Sequence, residues 1–119
     1  MTFGYVTSLA DGKTLRDDIR MYYFELVAKI NQEWWKRAKT LREQMQHDGV
    51  IDIVLLRNGT LVVKKFRQGT GSREADRLFG EAIDAAVPLP HLPDSYELDI
   101  FTAPLRITAP SQLFRIGGT

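Results

Sequence analysis

The sequence predicts an α+β domain of order α-β-β-α-β, in which a long N-terminal helix, a β-hairpin, a short helix and a final edge strand give a three-stranded antiparallel sheet packed on two helices. Three observations predict it. Apolar residues recur at spacings of three and four from Ile19 to Trp34, Asn58-Gly59 separates two apolar runs, and an alternating segment follows the connector that holds Pro88, Pro90 and Pro93. The 119 residues suit one domain, and area scaling for this length buries roughly two thirds of the extended chain's surface, enough for a core.

Residues 1–13 form a lead-in, extended or weakly ordered, because Phe3, Tyr5, Val6 and Leu9 follow no sustained period, and Asp11-Gly12 marks a turn. The domain proper is expected over residues 14–108. Thr14 is a candidate N-cap, and Asp17 and Asp18 then fall in the first turn, where the helix dipole favours negative charge. Ile19, Tyr22/Tyr23, Leu26, Ile30 and Trp34 make the buried stripe of this helix. Leu41 and Met45 continue the spacing, so its end is open, but Asp48-Gly49 stops it. Val50–Leu56 and Leu61–Phe66 are strands, and the Asn58-Gly59 pair suits a type I′ turn with positive φ at both residues. On the first strand Ile51, Ile53 and Leu55 share one face; the other, with Val50, Asp52, Val54 and Leu56, is only partly polar and so partly covered.

Gln68-Gly69-Thr70-Gly71 breaks the second strand, and Ser72 caps a short helix with Glu74 and Asp76 in its first turn. Its stripe of Ala75, Leu78/Phe79, Ala82 and Ala86 is narrow, which allows close packing on the sheet or the long helix. Pro88, Pro90 and Pro93 end that helix and space an extended connector. From Tyr96 to Ile107 the side chains alternate, with a change of parity near Phe101 that implies a bulge or bend. Pro104 has no N–H for a ladder, which points to an edge strand. Residues 109–119 form a tail in which Leu113-Phe114-Arg115-Ile116 could add a short strand.

Net charge is +1, too balanced to indicate a nucleic-acid or anionic-membrane binder by total charge. Its distribution is uneven. Five cations and no anion lie from Arg57 to Arg73, and seven carboxylates with one cation lie from Glu74 to Asp99, a dipolar arrangement able to steer a charged partner. Cysteine is absent, which removes disulfides, thiolate nucleophiles and Cys-type zinc sites. Apolar runs such as Ile53–Leu56 are strand-sized, so no transmembrane helix is expected. His47 and His91 have no ligand-spaced company and read as loop histidines. Gly69-Thr70-Gly71 fails the Gly-x-Gly-x-x-Gly pattern, and Gly-x-Ser-x-Gly does not occur. With no acid–base pair, nucleophile or ligand set, no enzyme, cofactor or metal is expected. Trp34 closes the core end of the long helix, and Trp35, turned by about 100°, either packs under the following segment or faces a partner.

Lined up in order, these residues resemble a known family. Tyr23-x-x-Leu26-x-x-x-Ile30-x-x-x-Trp34 is similar to the helix that opens the C-terminal domains of the TonB and TolA energy transducers, and Asn58-Gly59-Thr60-Leu61 resembles their hairpin turn. Thr70-Gly71, Ala75-Asp76 and the Ala82, Ala85, Ala86 cluster resemble their Ser-Gly, Asp and alanine-rich helix, and Ala86-Val87-Pro88-Leu89-Pro90 resembles the Pro-Leu-Pro exit of the TolA type. Thr70 stands where the family has Ser, Ala75 where it often has an aromatic, and the two cysteines of some TolA domains are missing.

The resemblance implies a periplasmic protein-binding domain that links an inner-membrane motor to an outer-membrane receptor or a periplasmic protein. The motor would be reached through an N-terminal anchor absent from these residues, which would tether the domain to the inner membrane. From the residues themselves, an edge strand over Tyr96, Glu97, Leu98, Asp99, Ile100, Phe101, Thr102 and Ala103 would offer unpaired backbone groups to a partner's extended segment. Two alternatives stay open: a small nucleic-acid-binding domain using Arg57–Arg73, which the charge balance disfavours, and a homodimer joined through the final strand.

Overall fold

A computed structural model describes residues 4–10 and 15–110; the Asp11-Gly12 turn, Thr14 and the tail beyond Pro110 lie outside the described residues. Six elements follow one another: β1 (Tyr5–Ser8), α1 (Asp17–Ala38), β2 (Gly49–Leu56), β3 (Leu61–Gln68), α2 (Arg73–Ala85) and β4 (Ile100–Thr108). The strands form one antiparallel sheet of order β1-β4-β2-β3. Ile51, Ile53 and Leu55 of β2, with Phe101, Ala103, Leu105 and Ile107 of β4, are buried on the face that the helices cover. The opposite face keeps Asp52, Val54, Thr102 and Arg106 half-buried or exposed, with no helix among the described residues on it.

Helix α1 buries Ile19, Tyr22, Tyr23, Leu26, Ile30 and Trp34 as its period demands. Its N-cap is Arg16, without a side-chain cap, where the sequence suggested Thr14. It stops at Ala38, earlier than Met45, because Met45 is buried from an irregular segment whose Gln46 and His47 N–H groups donate to the Thr70 carbonyl. In α2 the Ser72 hydroxyl accepts from the Ala75 N–H, as expected of an N-cap. Phe79 joins the layers, its ring centroid 6.1 Å from that of Trp34 and 6.0 Å from that of Phe66.

Four sequence expectations change. The sheet has four strands because Tyr5–Ser8 of the lead-in pairs with Leu105–Thr108. The final strand is therefore internal along that half, with β1 on one side and β2 on the other. It begins at Ile100 and alternates regularly, since Tyr96–Asp99 belong to a preceding loop; the register shifts lie between β2 and β3 instead. Finally, of Asn58 and Gly59 only Gly59 has positive φ, at 85°, so the hairpin is not a type I′ turn. The Gly59 N–H donates to the Leu56 carbonyl and the Leu56 N–H to that of Thr60, which is a three-residue loop ending in a left-handed glycine. The Asn58 carboxamide oxygen accepts from the Thr60 N–H and hydroxyl, closing the loop on its own side chain.

A Cβ at Gly59 would also collide with the Leu89 carbonyl, which sits against the turn because the Leu89 N–H donates to Gly59 O. Gly59→Ala is expected to destabilise the chain by about 1–2 kcal/mol from φ alone, with the collision adding to it, as urea unfolding would measure. Glu43 and Glu74 bind across the α1–α2 junction: Glu43 accepts from the Ser72 hydroxyl and the Glu74 N–H, and Glu74 from the N–H groups of Arg42 and Glu43. These bonds hold both carboxyls below their ordinary value of 4.5. A depressed folded pKa gives stability that is present above the ordinary value and lost as pH falls through the folded one. The expected result is a decline beginning near pH 4.5 that is shallower in a Glu43→Gln/Glu74→Gln chain, read from urea midpoints across pH.

Candidate functional site

Strand β4 carries the backbone edge that the sequence singled out, and its pairing decides which groups are free. It lies against β2 over its whole length, from Gly49↔Ile107 to Leu56↔Ile100, and the Arg57 N–H extends the ladder to the Asp99 carbonyl at 3.2 Å. In a strand, one residue's N–H and C=O point to the same side and successive residues alternate. Asp99 faces β2, so the backbone groups of Ile100, Thr102 and Pro104 face outward. The Leu9 N–H confirms this parity by donating to the Pro104 carbonyl at 2.9 Å. Pro104 can therefore sit in an internal strand, because its missing donor would have pointed away from β2.

Beyond Leu9 the outer side of Ile100–Ala103 has no strand partner among the described residues. The Ile100 carbonyl accepts from the Tyr96 hydroxyl at 2.9 Å. The outward groups of Thr102 have no backbone partner among the described residues. β3 is the other outer strand, but Lys64, Lys65 and Arg67 line it, and such charges guard an edge against addition.

The start of β4 is fixed by aromatic packing and one guanidinium. Phe101 is buried among Tyr22, Tyr23 and Tyr96, with ring centroids 5.3, 5.5 and 5.4 Å away. Burial pushes the hydroxyls of Tyr22 and Tyr23 up from their ordinary value, and the Tyr22 hydroxyl donates to the Pro90 carbonyl. Arg57 donates to the carbonyls of Pro93, Tyr96 and Leu98 and to the Asp99 carboxylate, which shapes the loop ahead of β4. Five donors in a fixed fork suit such divergent acceptors.

The eight predicted residues thus divide. Phe101 and Ala103 point into the core and Tyr96 packs on Phe101, whereas Leu98 (61% exposed), Ile100 (50% exposed), Thr102, Glu97 and Asp99 face solvent. Leu56, opposite Ile100, adds a further exposed apolar side chain. Of the Arg57–Arg73 cations, Arg57 is committed to its loop, Lys64 to the Gly80 carbonyl and Asp84, and Arg67 to Asp52. His47 and His91 are exposed, and among the described residues no group of carboxylates and imidazoles could hold a metal.

Sequence reasoning missed Asn31 and misplaced the partner of Trp35. Asn31 is buried in α1 and its amide bonds both backbone groups of Val6, accepting from N–H at 2.7 Å and donating to C=O at 3.0 Å. The Trp35 indole donates to the Gly4 carbonyl at 2.9 Å, on the preceding segment rather than the following one, while its side chain stays partly exposed. An amide one residue after Ile30, inside the apolar stripe, was the available signal.

A family model described as TonB C terminal matches residues 19–107, which holds every element except β1 and the ends of α1 and β4. No match was found among curated proteins or among solved structures. Arg57→Lys is expected to lower stability by about 1–3 kcal/mol, since a single ammonium cannot reach all four acceptors. Faster hydrogen exchange at the Tyr96 amide, which donates to the Pro93 carbonyl, would place the loss in this loop.

Proposed function

The chain belongs to the TonB C-terminal domain family, and from that membership we propose that it couples an inner-membrane motor to an outer-membrane receptor or a periplasmic protein by accepting an added strand on β4. Domains of this family are periplasmic, non-enzymatic parts of energy transducers, and no helix among the described residues is long and apolar enough to cross a membrane. In this reading the anchor to the inner membrane lies outside the present residues.

What carries the reading is the half-covered edge. Among the described residues β1 ends opposite Leu105 and the Leu9 N–H reaches Pro104, which leaves the outward N–H of Ile100 and both outward groups of Thr102 without a strand partner, beside the exposed side chains of Leu98, Ile100 and Leu56. A partner's extended segment would bond the backbone and set its alternate side chains against this apolar rim. Glu97 and Asp94, both exposed carboxylates at the same end, would favour a segment with cationic flanks.

Parity along β4 supplies the test. Ile100→Pro and Thr102→Pro delete outward donors and spare the β2 ladder, as Pro104 already does; Ala103→Pro removes a donor that faces β2. The first two are expected to stay folded and to weaken capture of partners from envelope extract by roughly tenfold or more, while the third unfolds the sheet. A captured receptor barrel would assign a TonB-like role, and a periplasmic protein or peptidoglycan-linked lipoprotein a TolA-like one. Undiminished capture by folded Ile100→Pro and Thr102→Pro chains would refute strand addition here, and a doubled solution mass would indicate pairing with a second copy.

A further inference from the structure

Helix α1 is apolar on two opposite faces. Its core stripe runs from Ile19 to Trp34, and at about 100° per residue Met21, Phe24, Ala28 and Trp35 fall on the far side of the helix, which points away from the sheet. Met21 is 59% exposed, Phe24 70% and Trp35 38%, and Ala28 is exposed between them. A surface helix ordinarily turns charge outward. Helix α2 does so with Arg73, Arg77, Glu81 and Asp84. On α1 the second stripe follows spacings of three, four and seven residues over about 21 Å, the seam by which one helix packs on another.

We infer that this face is a dimerisation surface, and that its occupant is α1 of a second copy, antiparallel about a two-fold axis at Ala28. Charge favours this occupant. The stripe begins at Asp17 and ends at Lys39, whose backbone still has the right-handed helical conformation; both are exposed. Asp17 has an ion pair with Arg20 on its own helix, and Lys39 has none among the described residues. Parallel copies would set Asp17 against Asp17 and Lys39 against Lys39, whereas antiparallel copies set Asp17 against Lys39 at both ends.

Shape favours it too. Ala28 stands midway between Met21 and Trp35, where a small side chain lets two helices approach, and the pairing sets Met21 against the indole of Trp35 from the second copy. The apolar surface is wider at that end, because Phe24 borders a cavity of about 250 Å³ lined also by Leu15, Tyr23 and Val27. The bond from Trp35 to the Gly4 carbonyl already orders the indole, so little of its freedom remains to be lost on association. Neither outer strand takes part, so this dimer is independent of strand addition on β4.

Sedimentation equilibrium of the whole chain provides the test. One helix from each copy makes a small interface, so a monomer–dimer equilibrium is expected between about 10 µM and 1 mM. Phe24→Glu, at an already exposed position, should keep the urea midpoint and weaken association by at least about tenfold. Asp17→Lys and Lys39→Asp each set like charges together at both ends and should each associate less as folded chains. Mixed in equal amounts they should pair with one another, because both ends then join Lys to Asp. A chain monomeric to about 1 mM would overturn the inference, and flotation of that monomer with phosphatidylethanolamine–phosphatidylglycerol vesicles would assign the stripe to a lipid surface. A dimer that survives Phe24→Glu and is lost in Thr102→Pro would place the pairing at β4 and overturn it as well. No recovery on mixing the two charge variants would overturn the antiparallel arrangement.

Discussion

The organisation of this domain depends on β4 lying against β2 along its full length. That pairing sends the backbone groups of alternate residues into the ladder and leaves those of Ile100, Thr102 and Pro104 for the other side. The same alternation drives Phe101, Ala103, Leu105 and Ile107 into the core under the helices. Fixing the core side chains therefore also fixes which backbone groups face outward. A shift by one residue would bury Thr102 and Arg106 and turn the missing donor of Pro104 into the β2 ladder.

Where regular pairing ends, single polar side chains take over. Arg57 gathers the carbonyls of the Pro93–Leu98 loop at one end of β4, and Asn31 completes the outer side of β1 at the other. Both satisfy backbone groups that would otherwise lack partners, a loss of about 1–3 kcal/mol for each buried group. They differ in what they rigidify. Arg57 joins two segments of the same core, whereas Asn31 ties the core to a short N-terminal strand and reads its backbone without reference to sequence.

The two outer strands are guarded unequally. β3 presents Lys64, Lys65 and Arg67, and two of these are drawn into bonds with Asp84 and Asp52, so its side chains crowd the approach with charge. The first half of β4 is bordered instead by Leu98, Ile100 and Leu56. An added strand would find apolar contacts there, and at β3 it would meet these cations beside the exposed Val62 and Val63. The cations of β3, more than net charge, separate one sheet edge from the other.

Local signals were enough for much of this. The stripe from Ile19 to Trp34, the Ser72 cap, the glycine at position 59 and the alternation into Ile107 each follow from spacing or from backbone freedom within a few residues, and the family resemblance rests on their order. Pro104 was also informative, since it marked a strand side without a partner donor. What only the tertiary structure decided is which side and how far. Tyr5–Ser8 has too short a pattern to declare itself a strand, and its partner lies a hundred residues away in the chain, so its pairing with Leu105–Thr108 arises from Asn31, Trp35 and the open side of β4 meeting in space. Periodicity reports which face of an element is buried; the strand beside it is chosen by long-range hydrogen bonds that no local pattern encodes.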